Sequence, residues 1–383
     1  MNYNKNIVKQ TSGIIRYSCG LLFMLFSFCY LYFLEGDMLA EAQFVFSHGL
    51  TTYSILIGSI VVTIVLQILQ WLVCRILRFN WRYYSFSYFP SMLGLAMLTD
   101  LSRDSMLHFT LGHWLWLCPV LLLLYVLLVV FLKNLRYGDE NNEVQGLLWQ
   151  NYLILFVMIV CCGATSKTKE VYHYELKTER LIMEHDYEAA SQVAYTSLKT
   201  SRRLTELRMY ALAKQGLLAE CIFDYPQYDG ADGLLSIYDT DSVYRYPALR
   251  ICYGLGGIPD GKSIRSTRQY LQAMNDKDSL RTTTTQDYLL CYLLLQKDLK
   301  AFAKNLRRFY PDTAPLPRAY REAVLYINNV YGKKLPYTID SETAARYDQY
   351  LQRKAELQDE RERINYTRRE FGNTFWWYYE YQK

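Results

Sequence analysis

Apolar positions crowd into the first 164 residues, in charge-free runs from Tyr17 to Leu34, Tyr53 to Cys74, Tyr83 to Thr99, Trp114 to Leu132 and Leu147 to Ala164. Each has about the 17 to 25 residues an α-helix needs to cross a hydrocarbon core. The third, with three serines and Pro90, is the least regular. Trp81, Tyr83, Tyr84, Trp114 and Trp116 stand at run ends, where amphipathic rings settle among headgroups. Ala40-Glu41-Ala42 mimics a signal cleavage site, but the apolar run before it is too long for a typical signal and four more follow.

Residues 165–383 change character: charge is frequent, strand-like alternation scarce, and short helical patterns alternate with Gly, Pro and Asp. Three stretches, "EHDYEAA" (184–190), "KQGLLAE" (214–220) and "QKDLKAF" (296–302), sit where one helical pattern ends and the next begins. They are similar to the turn of tetratricopeptide repeats, although only Tyr187 and Ala190 keep the full aromatic-to-small spacing and Phe302 replaces a small residue. An irregular insert is expected from Pro226 to Lys262. A long terminal helix is expected near 342–370, with Tyr350, Leu357, Ile364 and Phe371 seven residues apart. The predicted fold is therefore all-α: a transmembrane domain of about five helices over 1–164, then a tetratricopeptide-like α-solenoid over 165–383.

Charge orients the membrane half. With five spans and a cytoplasmic N-terminus, the inner segments carry Lys5, Lys9, Arg16, Arg75, Arg78, Arg82, Lys133 and Arg136, and the two short outer loops only Arg103. The C-terminal domain then lies outside. A four-span alternative drops the third run and leaves that domain in the cytoplasm. Net charge is only +5, with Lys and Arg interleaved among acids, so no nucleic-acid partner is expected. Six of the nine cysteines fall within apolar runs as packing residues. Cys221, Cys252 and Cys291 leave room for at most one bridge.

"YLYFLEGDMLAEAQFVFSHGLTTYS", "SYFPSMLGLAMLTDLS" and the closing "EFGNTFWWYYEY" resemble an uncharacterised bacterial family of multi-pass membrane proteins with a tetratricopeptide-like C-terminal region. The resemblance implies an inner-membrane location. It brings no activity and no catalytic residues.

Three candidate sites remain. Gly256, Gly261, Lys262 and Ser263 satisfy G-x-x-x-x-G-K-S, the loop that cradles phosphates, but a P-loop requires a strand before it and the surrounding patterns are helical. His108 and His113, with Asp104, suggest a metal site without the i, i+4 spacing that presents two imidazoles on one helical face. The tail packs Phe375, Trp376, Trp377, Tyr378, Tyr379 and Tyr381 into seven positions, fit to dock within the protein, lie on the bilayer surface or meet a ligand. With no nucleophile elbow and no HExxH, no cofactor is expected. The expected function is that of a non-catalytic membrane scaffold, embedded in lipid and holding a protein or peptide partner. The alternatives are a P-loop membrane ATPase with a cytoplasmic soluble domain, and a small envelope sensor or transporter component.

Overall fold

The computed structural model describes residues 2–79, 81–101, 106, 110, 112–134, 144–166, 170–237, 244–258, 264, 266–332 and 334–382, with the backbone alone at 2–12, 144, 165 and 166. Every regular element among the described residues is helical, and the chain divides into two compact units, Met1–His173 and Tyr174–Lys383.

The first unit contains α1 (Asn2–Cys29, continued by a π-helical turn to Leu34), α2 (Gly36–Phe46), α3 (Ile55–Leu77), a 3₁₀ stretch (Trp81–Tyr88), α4 (Phe89–Thr99), α5 (Trp114–Asn134) and α6 (Val144–Ser166). Four helical segments, Gly13–Leu34, Ile55–Leu77, Trp114–Asn134 and Gln145–Ala164, are long and apolar enough to cross a membrane. Leu25, Ile57, Leu123, Phe131 and Phe156 face outward, while Ser27, Gln70, Ser85, Ser87, Ser91 and Asn151 are buried. Apolar outside and polar inside is the arrangement of a bundle solvated by lipid.

The run Tyr83 to Thr99 does not form the single helix its composition suggested. Tyr83 leaves helical geometry at φ −119°, ψ 27°, and the α-helix begins only at Phe89, with Pro90 in its first turn. Alone, the 11 residues of α4 reach only roughly 16 Å, about half a hydrocarbon core. Asn151 on α6 compensates the broken backbone. Its Oδ1 accepts the Ser85 N–H at 2.9 Å, and its Nδ2 donates to the carbonyls of Trp81 (3.1 Å) and Arg82 (3.3 Å).

The broken stretch lies lengthwise among the long helices. Cys19 meets Ser85 at 3.6 Å and the Tyr30 hydroxyl donates to Thr99 at 3.4 Å, so α1 runs parallel to it. Gln70 donates to the hydroxyls of Tyr84 (3.0 Å) and Ser87 (2.8 Å), and Ser91 to the Leu66 carbonyl (2.8 Å), so α3 is antiparallel. Trp114 reaches Asp100 at 2.9 Å and Tyr125 reaches the Phe86 carbonyl at 3.1 Å, making α5 antiparallel over the same length.

The chain enters the second unit within α7 (Glu170–Met183) and continues through α8 (Tyr187–Gln192), α9 (Arg202–Lys214), α10 (Leu218–Cys221), α11 (Ala248–Gly254), α12 (Thr267–Asp276), α13 (Thr283–Leu295), α14 (Leu299–Phe309), α15 (Arg318–Tyr331), α16 (Ser341–Glu356), α17 (Glu360–Phe371) and α18 (Phe375–Tyr381). The three similar stretches each form one turn between two helices. Asp186, Leu217 and Asp298 donate their backbone N–H to the carbonyls of Leu181, Leu212 and Leu293, and the residues before them, His185, Gly216 and Lys297, have φ of 62°, 72° and 59°. This is the closure that satisfies orphan carbonyls at a helix end. Asp186 and Asp298 then cap the following helices at Ala189 and Ala301.

Helix α13 lies at the centre. Every residue from Tyr288 to Leu295 is buried, and the helix packs against α9, α10, α12 and α14. A helix that is apolar all round is a core element. The packing departs from a simple stack of pairs where α15 touches both α14 and the distant α10. The expected long helix over 342–370 is two helices. Leu357 is extended (φ −101°, ψ 110°), and Asp359 restarts the chain by accepting the N–H groups of Arg361 and Glu362.

Candidate functional site

The aromatic tail is the sequence-predicted set that the structure brings together. Phe375, Trp376, Trp377 and Tyr378 are buried, and Tyr379 and Tyr381 partly so, on all sides of the seven-residue α18. Successive residues point around the helix, so different elements must cover them. Phe223 and Tyr326 pack against Phe375, Tyr347 and Tyr350 against Trp376, and Trp377 donates its indole N–H to Thr367 at 3.2 Å. The Tyr378 hydroxyl donates to the carbonyl of Leu295, the last residue of α13, at 2.7 Å.

A polar network that sequence reasoning missed holds the start of this helix. Glu322 accepts the Phe375 N–H at 2.7 Å. Arg318, one turn before it on α15, reaches Asp224 at 2.7 Å and the Asn373 carbonyl at 3.2 Å, and donates its own backbone N–H to Glu220 at 3.1 Å. Arg346 donates to Asn373 Oδ1 at 2.7 Å. Burial raises the Glu322 carboxyl to about 7, against the opposing pull of the Phe375 N–H and of Arg318 and Arg346. The only hint in the sequence was that "FGNT" brings polar residues and a glycine into an aromatic tail.

Beside this network a groove of ≈ 900 Å³ runs between the 223–228 segment and helices α17 and α18. Arg346, Glu362, Asn365, Arg368 and Arg369 line it, together with Tyr228. Arg368 donates to the Tyr228 hydroxyl at 2.9 Å, and the Arg369 guanidinium lies 5.9 Å from the centre of the Tyr366 ring.

The other candidates are not assembled into sites among the described residues. Gly256, at φ 126°, follows helix α11, where a P-loop would have a strand; Gly261, Lys262 and Ser263 lie outside the described residues. His108 and Asp104 also lie outside them, and His113 meets Asp100 at 3.1 Å. Among the described residues no three His, Cys, Asp or Glu side chains converge as a metal would need.

No curated protein and no solved structure matches the chain. A family description does match, over residues 106–283 and 262–382, which together make up most of the sequence. The chain belongs to that family, a family of unknown function designated DUF6057.

Proposed function

We propose that this is an inner-membrane protein that crosses the bilayer five times, with its N-terminus in the cytoplasm, and that its second unit works outside as a non-catalytic platform for a protein partner. The lengthwise register of Trp81–Thr99 carries the topology. Laid end to end, the eight residues of the 3₁₀ stretch and the 11 of α4 reach at most roughly 32 Å, close to a hydrocarbon core of about 30 Å. A broken helix is tolerated at that depth where protein buries its backbone, and the Asn151 bonds to Ser85, Trp81 and Arg82 supply that cover. Five crossings also gather Arg75, Arg78, Arg82, Lys133 and Arg136 on the N-terminal side and leave the short opposite loops with Arg103.

The groove beside α17 and α18 supports the platform reading. Among the described residues no Ser, Thr, Cys, His or Lys lines it, and two of its acids, Asp224 and Glu370, are held by Arg318 and Arg353 at 2.7 and 3.1 Å. These are groups for recognition, with no nucleophile set beside a base. The repeated turn at residues 185, 216 and 297 supports a tetratricopeptide-like origin for the helix pairs.

Single-cysteine labelling in intact cells tests the topology. On a background without native cysteines, Asp312→Cys should react with an impermeant maleimide from outside and Asn6→Cys only after lysis. Labelling of both from the same side would leave four crossings.

A further inference from the structure

Resting on the platform reading, we propose that the groove between the 223–228 segment and α17–α18 binds an acidic peptide segment of the partner. Arg346, Arg368 and Arg369 line it, and among the described residues none lies within ion-pair distance of a carboxylate. Their hydrogen-bond and ring partners are neutral: Asn373 for Arg346, which also feels the buried Glu322 at longer range, the Tyr228 hydroxyl for Arg368 and the Tyr366 ring for Arg369. Of the acids facing the same space, Asp224 and Glu370 are already held by Arg318 and Arg353. Glu362 is left to oppose three guanidiniums.

Of the described rings that line the groove only Tyr228 and Tyr366 are exposed, few for stacking a sugar. Trp377 and Tyr378 are buried, a guanidinium lies over Tyr366, and the Tyr228 hydroxyl is engaged by Arg368. Planar donor forks remain available, and carboxylates match them two bonds at a time. Asn365 adds an amide suited to a peptide backbone.

The test uses full-length protein in detergent and fluorescence anisotropy of a labelled Glu-Glu-Tyr-Glu-Glu peptide, with Gln-Gln-Tyr-Gln-Gln and a galacturonate trimer as comparisons. The acidic peptide should bind, and the Gln peptide and the trimer should not. The double variant Arg368→Gln, Arg369→Gln should weaken binding by about tenfold or more. Glu362→Gln should tighten it, a gain that damage to the fold would not produce, and Arg369→Lys should retain part of it. Equal binding of the Gln peptide, preference for the trimer, or indifference to both Arg368→Gln, Arg369→Gln and Glu362→Gln overturns the proposal. If the peptide fails while in-cell crosslinking joins a partner to another face of the second unit, the groove assignment falls and the platform stands. If neither the peptide nor any partner is found, both fall.

Discussion

The Glu322 carboxylate accepts the backbone N–H of Phe375 at 2.7 Å, joining the middle of α15 to the first residue of the aromatic helix 53 positions later. Burial raises this carboxyl from 4.5 to about 7, so the folded state binds its proton more tightly than the unfolded chain does. Its contribution to stability is therefore fully present below pH 4.5 and is lost as pH rises through about 7. Denaturation midpoints of the wild type should fall across that window by the equivalent of about 3 kcal/mol. Glu322→Gln, which keeps an acceptor for Phe375, should flatten the profile. An unchanged slope in the variant would assign the titration to another group.

Trp376 is completely buried between Tyr347 and Tyr350. Trp376→Ala should destabilise the second unit by about 3 to 5 kcal/mol, because nearby helices close only part of the cavity. Chemical denaturation followed by circular dichroism measures this. A loss below about 1 kcal/mol would mean that the tail lies on the surface instead of in the core.

The membrane runs were legible because the absence of charge over about 20 residues is itself the physical requirement. The break in the third was not, because Ser85 depends on Asn151, 66 positions away. The turns at Gly216 and Asp298 could be read locally, since Gly adopts positive φ and Asp caps a helix. The restart at Asp359 also had a local sign: Asp359 stands three residues before Glu362, the spacing of a capping pair, but a sevenfold apolar row across it suggested one helix. Where the tail docks was beyond local reading, because Phe223, Tyr326, Tyr347 and Leu295 reach it from four separate parts of the chain. The groove arginines were visible only as charge on a helix. That none of them lies within ion-pair distance of a carboxylate among the described residues is a property of the folded surface.

Gly216 gives a clean measure of the repeated turn. Its φ is 72°, and a Cβ added there meets nothing within 4 Å. Gly216→Ala should therefore cost about 1 to 2 kcal/mol through the left-handed backbone alone. Lys297→Gly, at φ 59° in the corresponding turn, should relieve backbone strain. It also removes the Lys297 contact with the Gln382 carbonyl, so its net effect should be small. Thermal melts of the two variants check the pair, and an equal loss in both would show that φ is not the controlling variable.

Asn151 makes the corresponding prediction for the membrane unit. Its side chain is fully buried and bonds the Ser85 N–H and the carbonyls of Trp81 and Arg82, on either side of the point where the backbone departs from a helix. In lipid no water replaces a lost partner. Asn151→Leu, close in volume and unable to hydrogen-bond, should cost about 1 to 3 kcal/mol for each group left unsatisfied. Asn151→Asp keeps the acceptor for Ser85 but loses the donors to Trp81 and Arg82, and it places an acid at membrane depth. It should be the more damaging of the two if its surroundings are dry. Thermal inactivation in detergent, read by size-exclusion of the purified protein, ranks the variants. If Asn151→Leu matched the wild type, the 3₁₀ stretch would be solvated by water, and its place inside the bilayer would have to be abandoned.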